Sequence, residues 1–225
     1  MVLDVARIQA LCFDVDGTLS DTDDLLVARL ARWLEHVRFL FPRRDPLRLA
    51  RRLIMVSEAP ANFLIGLPDH LGLDDELFAL ADWLARFSKK PKQFLLINGV
   101  REMLAALASR YPLAVVSARD ERTTRLFLAQ FDLLPFFRCV ATATTCKHTK
   151  PYPDPILWAA AQMGVSPASC LMIGDTTVDI RAGRAAGAQT AGVLCGFGER
   201  AELERCGADV ILETTPDLLS VLSHV

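Results

Sequence analysis

The chain has 225 residues, of which 52% are hydrophobic, so it can bury a substantial core in one large domain or in one domain with an insertion. Its formal net charge of −2 at pH 7 gives no indication of binding to nucleic acid or to a membrane surface. No apolar span of about 18 residues occurs and the first residues lack a signal-peptide pattern, so a soluble cytoplasmic protein is expected.

The first part of the chain predicts one strand followed by a helical insertion. Residues 8–14 form an apolar run that predicts a buried strand. Apolar side chains then recur at helical spacing, and nothing between residues 20 and 88 predicts a pair of strands. Three helices are expected in this segment, beginning near Asp21, near Pro46 and near Asp74.

From Asn98 onward, predicted helices alternate with predicted strands. The helices are expected at 100–110, 120–130, 155–163, 178–186 and 199–205, and the strands at 113–117, 138–142, 170–174, 190–194 and 209–212. Such alternation is typical of a parallel sheet that is covered by helices on both faces, so the predicted fold class is α/β. Residues 1–18 and 96–225 are expected to form the core domain, and residues 19–95 an inserted helical domain.

Single residues predict three details of these elements. Asp154 precedes Pro155 and is expected to cap the helix through its side chain, with the proline at the first helical position. Gly183 is expected to allow close packing, and Gly187 to end its helix.

The six cysteines are scattered along the chain without a Cys-x-x-Cys pair, and several lie in apolar runs where a thiol behaves as a small buried hydrophobe. Free structural thiols are therefore predicted rather than a disulfide framework or a zinc site. None of the four histidines has a metal-binding spacing, and His148 is interpreted as a surface residue of a loop.

The segment from Asp14 to Thr18 places two carboxylates one residue apart at the end of the first predicted strand. In an extended strand residues i and i+2 project to the same side, so Asp14 and Asp16 are expected to point together beyond the carboxyl end of the strand. Two like charges this close persist mainly where a cation, a shared proton or hydrogen-bond donors compensate them. Gly17 allows a steep turn directly afterwards. A surface turn uses the same residue types, so the motif alone leaves that alternative open.

Three later segments also carry polar groups at the ends of predicted elements. Ser117 ends one apolar run, Lys150 precedes a proline-rich turn, and Asp175 follows another apolar run with Asp179 four residues further on. Open α/β sheets bind their ligands at the carboxyl ends of the strands, so these groups are expected to meet in one cleft.

Taken together and in this order, the four segments resemble the motifs of the haloacid dehalogenase superfamily, and the resemblance covers most of the chain. It implies a Rossmann-like core and identifies residues 19–95 with the helical cap of the phosphoglycolate phosphatase and β-phosphoglucomutase branch. The activity it implies is that of a Mg²⁺-dependent phosphatase that acts on a small phosphorylated metabolite, of the phosphoglycolate or sugar-phosphate type, through an aspartyl-phosphate.

The resemblance also implies roles for the four acids. Asp14 corresponds to the nucleophile, and Asp16 to the general acid and base. Asp14, the backbone carbonyl of Asp16 and Asp175 are expected to hold Mg²⁺, while Asp179 either binds the ion or orients its ligands.

The remaining residues identified by the resemblance bind the substrate. Ser117 is expected to donate a hydrogen bond to the phosphoryl group, and Lys150 to offset the charge of the nucleophile and the phosphate. Thr18 and the backbone amide of Ala118 complete the predicted binding set. Many relatives have an asparagine after the hydroxyl of this motif, whereas Ala118 and Arg119 stand here. The preference for a leaving group is therefore open.

The motifs also bear on two other functions. A phosphomutase uses the same aspartyl-phosphate and differs in how its cap excludes water, so the motifs leave it open. A non-catalytic binding protein is disfavoured, because all four acids and Lys150 are retained. Asp16 disfavours the dehalogenase and phosphonatase branches, which usually have an aromatic residue or an alanine at this position. The oligomeric state does not follow from the sequence.

Overall fold

The computed structural model describes residues 3–21, Arg32, Glu35 and residues 94–223. Within these ranges the chain forms a parallel sheet in the strand order β3-β2-β1-β4-β5-β6. The strands are β1 (Ala10–Phe13), β2 (Leu113–Val116), β3 (Phe137–Ala141), β4 (Cys170–Gly174), β5 (Gln189–Val193) and β6 (Val210–Leu212). The predicted α/β class with a parallel sheet is confirmed.

The helices lie between the strands. They are α1 (Val100–Ala108), α2 (Glu121–Gln130), α3 (Asp154–Met163), α4 (Thr177–Ala185), α5 (Arg200–Arg205) and α6 (Leu218–Leu222). From β1 the chain proceeds to β2 and β3 on one side, and then returns to β4, β5 and β6 on the other. Because crossovers between parallel strands are right-handed, the change of direction places helices on both faces of the sheet.

The packing follows this division. Helix α3 packs on β1, β2 and β3, and α4 packs on β4 and β5. Strands β1, β2 and β4 are buried along their whole length, as is typical of a sheet covered on both faces. One face of the sheet carries small side chains and thiols, among them Ala10, Cys12, Ala114 and Cys170. They form one core cluster with Ala159 and Ala160 of α3. All six cysteines are free thiols, and Cys12 and Cys170 are buried on this face.

The strand order changes direction next to β1. Strand β1 lies between β2 and β4, and the strand order reverses between β1 and β4. The loops that follow β1 and β4 therefore run to opposite sides of the sheet. A point where the strand order reverses in this way is where α/β sheets bind ligands.

Single-residue predictions had mixed outcomes. Asp154 is not the predicted cap: α3 begins at Asp154 itself, Pro153 occupies the capping position without a side-chain hydrogen bond, and the Asp154 carboxylate lies 3.0 Å from Nδ1 of His148. Gly187 follows α4 with a φ of 78°, a conformation that favours glycine at a helix end. A Cβ on Gly183 would lie 2.5 Å from Cγ2 of Thr190, so this glycine does allow close packing.

The chain divides into two compact units, one formed by Met1–Leu26 with Leu95–Val225 and the other by Val27–Phe94. The helical cap predicted for residues 19–95 lies outside the described residues except at its two ends and at Arg32 and Glu35, so it remains a prediction. In the part of the chain that is described, no helix is both long enough and apolar enough to cross a membrane.

The contact at Gly183 predicts a local stability effect. We expect Gly183→Val to lower the free energy of unfolding by about 2 kcal/mol, because the added carbons overlap β4 and β5 in a core that is already filled. Arg181→Val places the same residue on the exposed face of α4 and should change it by less than about 0.5 kcal/mol. Urea unfolding followed by circular dichroism measures both, and equal values for the two variants would contradict the packing argument.

Candidate functional site

Strand register brings the predicted polar residues to one edge of the sheet. Phe13 is paired with Val115 of β2 and with Ile173 of β4. The residues that follow each of these three therefore leave the sheet side by side. The amide of Asp14 donates to the carbonyl of Ile173 at 2.9 Å, and the amide of Ser117 to that of Ala141 at 3.0 Å. The ends of β1, β2 and β4 thus form one continuous floor.

Three carboxylates meet on this floor. Asp14, Asp175 and Asp179 are buried, and each offers an oxygen that lies within 4.8 Å of the others. Asp14 comes from the end of β1, Asp175 from the end of β4, and Asp179 from the first turn of α4. Two acids that are four residues apart therefore reach the same point, because the chain turns from strand to helix between them.

Lys150 lies between two of these acids. Its Nζ is 2.7 Å from Oδ1 of Asp14 and 2.6 Å from Oδ1 of Asp179, and its side chain is 3% exposed. Lys150 belongs to the connection between β3 and α3, so a third segment of the chain closes over the acids. The lysine that the sequence places near the site is therefore a buried cation in direct contact with the predicted nucleophile.

Asp179 is held by partners on both of its oxygens. Oδ1 accepts from Lys150, and Oδ2 accepts from the amide of Thr176 at 3.0 Å and from its hydroxyl at 2.8 Å. Asp179 is the third residue of α4, so the contact to the Thr176 amide is a capping interaction at the start of the helix. This carboxylate is thus fixed before any ligand arrives.

Unlike Asp179, Asp175 has a hydrogen-bond partner on only one of its two carboxylate oxygens. Its Oδ2 accepts a hydrogen bond from the amide of Phe197 at 2.7 Å, whereas its Oδ1 is buried and has no hydrogen-bond partner. A buried carboxylate oxygen without a donor is costly, and such an oxygen is a suitable ligand for a cation. The all-oxygen donor set of Asp14, Asp175 and Asp179 fits a hard divalent cation.

Burial and like charge shift the pKa values of these groups. Burial, with added repulsion from Asp179 and Asp16, raises the pKa of Asp14 to about 7 although Lys150 opposes the shift. Burial and the neighbouring acids also raise the pKa of Asp175 well above its ordinary value. Burial disfavours the charge on Lys150, but Asp14 and Asp179 outweigh it and raise the lysine's pKa. One ammonium group is therefore insufficient for three carboxylates, and the cluster attracts further positive charge.

Asp16 is paired with a different cation. Its Oδ1 accepts from Nη2 of Arg119, and the two side chains are 23% and 13% exposed respectively. The Asp16 carboxylate is not among the three clustered acids, so the expectation of Asp16 as a metal ligand concerns its backbone carbonyl only. The two acids of the first motif therefore face different cations.

The predicted substrate-binding residues lie around the same edge. Ser117 is buried, and its Oγ accepts from the amide of Arg119 at 3.1 Å, whereas Ala118 is exposed. Thr18 is also buried, and its Oγ1 has no hydrogen-bond partner. The side chain of His148 is 41% exposed and pairs with Asp154, as expected for a surface loop.

Two contributors were missed from the sequence. Arg119 was noted only as a departure from the usual motif, although it forms the ion pair with Asp16. Phe197 supplies a backbone amide to Asp175, which no side-chain pattern reveals. The signal that could have found it is the pair of glycines on either side, since a Cβ on Gly196 or Gly198 would collide with Asp175.

Comparisons with known proteins identify a family, similar sequences and similar folds. The family described as haloacid dehalogenase-like hydrolase matches residues 11–193. The chain is 29% identical over 219 residues to the pyrophosphatase PpaX of Anoxybacillus flavithermus, covering 96% of this chain and 97% of that protein. It is 26% identical over 225 residues to a phosphoglycolate phosphatase of Nitrosococcus oceani, with 96% and 97% covered. The fold resembles that of a predicted phosphatase from Clostridium acetobutylicum at a TM-score of 0.72 and 20% identity, covering 97% and 99%.

The raised pKa values predict how stability depends on pH in metal-free protein. Asp14 keeps its proton in the folded state up to about pH 7 but loses it near pH 3.8 in the unfolded chain, and Asp175 shifts in the same direction. The folded state therefore binds more protons between these limits, so the free energy of unfolding should fall as pH rises, by up to about 1.4 kcal/mol per pH unit for each proton.

Denaturant unfolding of chelator-treated protein from pH 5 to pH 8 measures this slope. Asp14→Asn removes one of the protons and should make the slope shallower. Glu204→Gln removes an exposed carboxylate and should leave the slope as in the wild type. A slope that is the same in wild type and Asp14→Asn would contradict the assignment of the bound proton.

Proposed function

Since the chain belongs to the haloacid dehalogenase-like hydrolase family, we propose that it is a Mg²⁺-dependent phosphatase that acts on a small phosphorylated metabolite. The observation that carries the proposal is the buried Asp14, which lies at the end of β1 in contact with Lys150 and beside Asp175 and Asp179. A carboxylate in such a setting is suited to attack on phosphorus, because a neighbouring cation reduces its repulsion from the phosphate.

In the proposed reaction, an oxygen of Asp14 bonds to phosphorus while the bond from phosphorus to the leaving oxygen breaks. Asp16 gives a proton to the leaving oxygen. Asp16 then takes a proton from water, which attacks the phosphorus of the aspartyl-phosphate, releases phosphate and restores Asp14. Ser117 and the amide of Ala118 donate to the phosphoryl oxygens, and Thr18 lies in the turn that carries Asp16.

Mg²⁺ is the proposed cation, with Asp14, Asp175 and the backbone carbonyl of Asp16 as its ligands. When bound, the ion offsets the negative charge of the phosphoryl group. Asp179 acts by position in this proposal: both of its oxygens already have partners, so it holds Lys150 in contact with Asp14.

The substrate proposal starts from the two curated relatives, whose names specify pyrophosphate and phosphoglycolate. We propose these two compounds and sugar phosphates as the first candidates. A phosphate-release screen over them and over nucleotides, with and without Mg²⁺, tests the function. Conversion of a sugar 1-phosphate to the 6-phosphate that requires a sugar bisphosphate, without net phosphate release, would assign a mutase instead.

In this assay, Asp14→Asn should reduce turnover by at least about 10³-fold, because the amide oxygen cannot form the phosphoenzyme. The variant should still fold, since it removes a buried charge and keeps the shape of the side chain. Asp132→Asn makes the same substitution beyond the far end of α2 and should keep full activity. Substantial hydrolysis by Asp14→Asn would refute the assigned nucleophile.

The metal site has a readout that does not depend on activity. Millimolar Mg²⁺ should raise the melting temperature of the wild type, because an ion that binds only the folded state stabilises it. Asp175→Asn replaces the partnerless oxygen by a neutral amide and should lose this increase. Differential scanning fluorimetry measures both proteins, with Asp132→Asn as the matched control. An increase that is retained in Asp175→Asn would place the ion elsewhere.

A further inference from the structure

We propose that Arg119 binds an anionic group on the leaving half of the substrate. The enzyme then prefers phosphate esters and anhydrides whose leaving group carries an oxyanion. The inference rests on the proposed function, because it concerns the same site and narrows its substrate class. It is carried by the contact between Arg119 and Asp16, which the four motifs did not predict.

The backbone holds Arg119 beside Asp16. Its amide donates to Oγ of Ser117 at 3.1 Å, and its carbonyl accepts from the amide of Ala143 at 2.9 Å. Asp16 comes from the turn after β1 and Arg119 from the loop after β2, and these two strands are paired up to Phe13 and Val115. The arginine is therefore tied to the site at its backbone by two hydrogen bonds, unlike an arginine on a solvated helix face.

The guanidinium is held on two sides. Nη2 donates to Oδ1 of Asp16, and Cζ lies 5.9 Å from the centroid of the buried Phe127 ring. The side chain of Arg119 is only 13% exposed. A guanidinium that is partly removed from water attracts an anion more strongly than one on an open surface. It is a cation with a fixed location and a weakened hydration shell.

Arg119 and Lys150 serve different parts of the site. Lys150 contacts Asp14 and Asp179 and so faces the phosphoryl half of the substrate. Arg119 contacts Asp16, the residue proposed to protonate the leaving oxygen. Any group attached to that oxygen must come close to Asp16 during the reaction, and therefore close to Arg119 as well.

Because of the position of Arg119, the enzyme distinguishes substrates by the charge of their leaving group. The Asp16 carboxylate repels an anionic leaving group beside it, unless one cation contacts both negative charges. The guanidinium has five donors in a planar fork, so it can contact Asp16 and a second oxyanion from different edges. A neutral leaving group gains much less from this cation. Glycolate and orthophosphate, released from phosphoglycolate and pyrophosphate, are both oxyanions.

A matched pair of substrates tests the inference. 2-Phosphoglycolate and 2-hydroxyethyl phosphate differ mainly in whether the leaving alcohol carries a carboxylate or a neutral hydroxymethyl group. In Arg119→Gln we expect kcat/KM for phosphoglycolate to fall about 10- to 100-fold more than kcat/KM for hydroxyethyl phosphate. Arg119→Lys keeps the charge without the fork, so its selective loss should be smaller. Pyrophosphate should follow phosphoglycolate.

The control is Arg122→Gln, which removes an exposed arginine from the first turn of α2 and should leave both substrates unchanged. Equal losses for the two substrates in Arg119→Gln would show that the arginine only positions Asp16, and would overturn the inference while the phosphatase proposal stands. A wild type that releases phosphate from no compound in the screen would instead overturn the proposed function, and this inference with it. Thermal unfolding of each variant shows whether it is folded.

Discussion

The concentration of buried negative charge at one edge of the sheet is the constraint on which the rest of the site depends. Three carboxylates with oxygens within 4.8 Å of one another share one lysine, and burial prevents water from screening them. Such an arrangement is unfavourable for folding by itself, since removing charge from water costs free energy that one ion pair does not recover. The fold holds the acids together because the sheet on which they stand is buried on both faces and cannot relax locally.

Local backbone geometry holds the carboxylates of Asp175 and Asp179 in position. Asp179 is fixed by the start of α4 and by Lys150, and Asp175 is fixed on one oxygen by the amide of Phe197. The glycines at positions 17, 174 and 196 let the backbone approach these carboxylates to distances that a Cβ would prevent, and Gly198 does the same at the backbone carbonyl of Asp175. Of the four carboxylate oxygens of Asp175 and Asp179, only Oδ1 of Asp175 has no hydrogen-bond partner. The fold therefore leaves one carboxylate oxygen of the acid cluster available to a cation. The hydrogen bonds to the other oxygens of Asp175 and Asp179 hold this oxygen in place.

The sequence predicts the layout of this fold well because the relevant information is local. Apolar runs that end in an acid or a hydroxyl gave the strand from Cys170 to Gly174 with its correct limits, and gave the position of Ser117 to within one residue of the strand end. The Asp154 cap was wrong, because the helix begins one residue earlier than predicted and Asp154 is its first residue, with its carboxylate paired to His148. Arg119 and Phe197 were missed for a different reason: their partners lie 103 and 22 residues away in the chain, and only the register of the sheet joins them.

Register also explains why one motif gives two chemical environments. Asp14 and Asp16 are two residues apart, yet Asp14 belongs to a buried cluster with Lys150, whereas Asp16 pairs with Arg119 on the side of β2. The cause is that β1 has different neighbours on its two sides, with Asp175 following β4 and Arg119 following β2. A nucleophile and an acid must differ in charge environment to act in sequence. Placing the first motif on a central strand allows this difference, because Arg119 follows the neighbouring β2 whereas Lys150 comes from the connection between β3 and α3. Two separate cations thus reach residues that are almost adjacent in sequence.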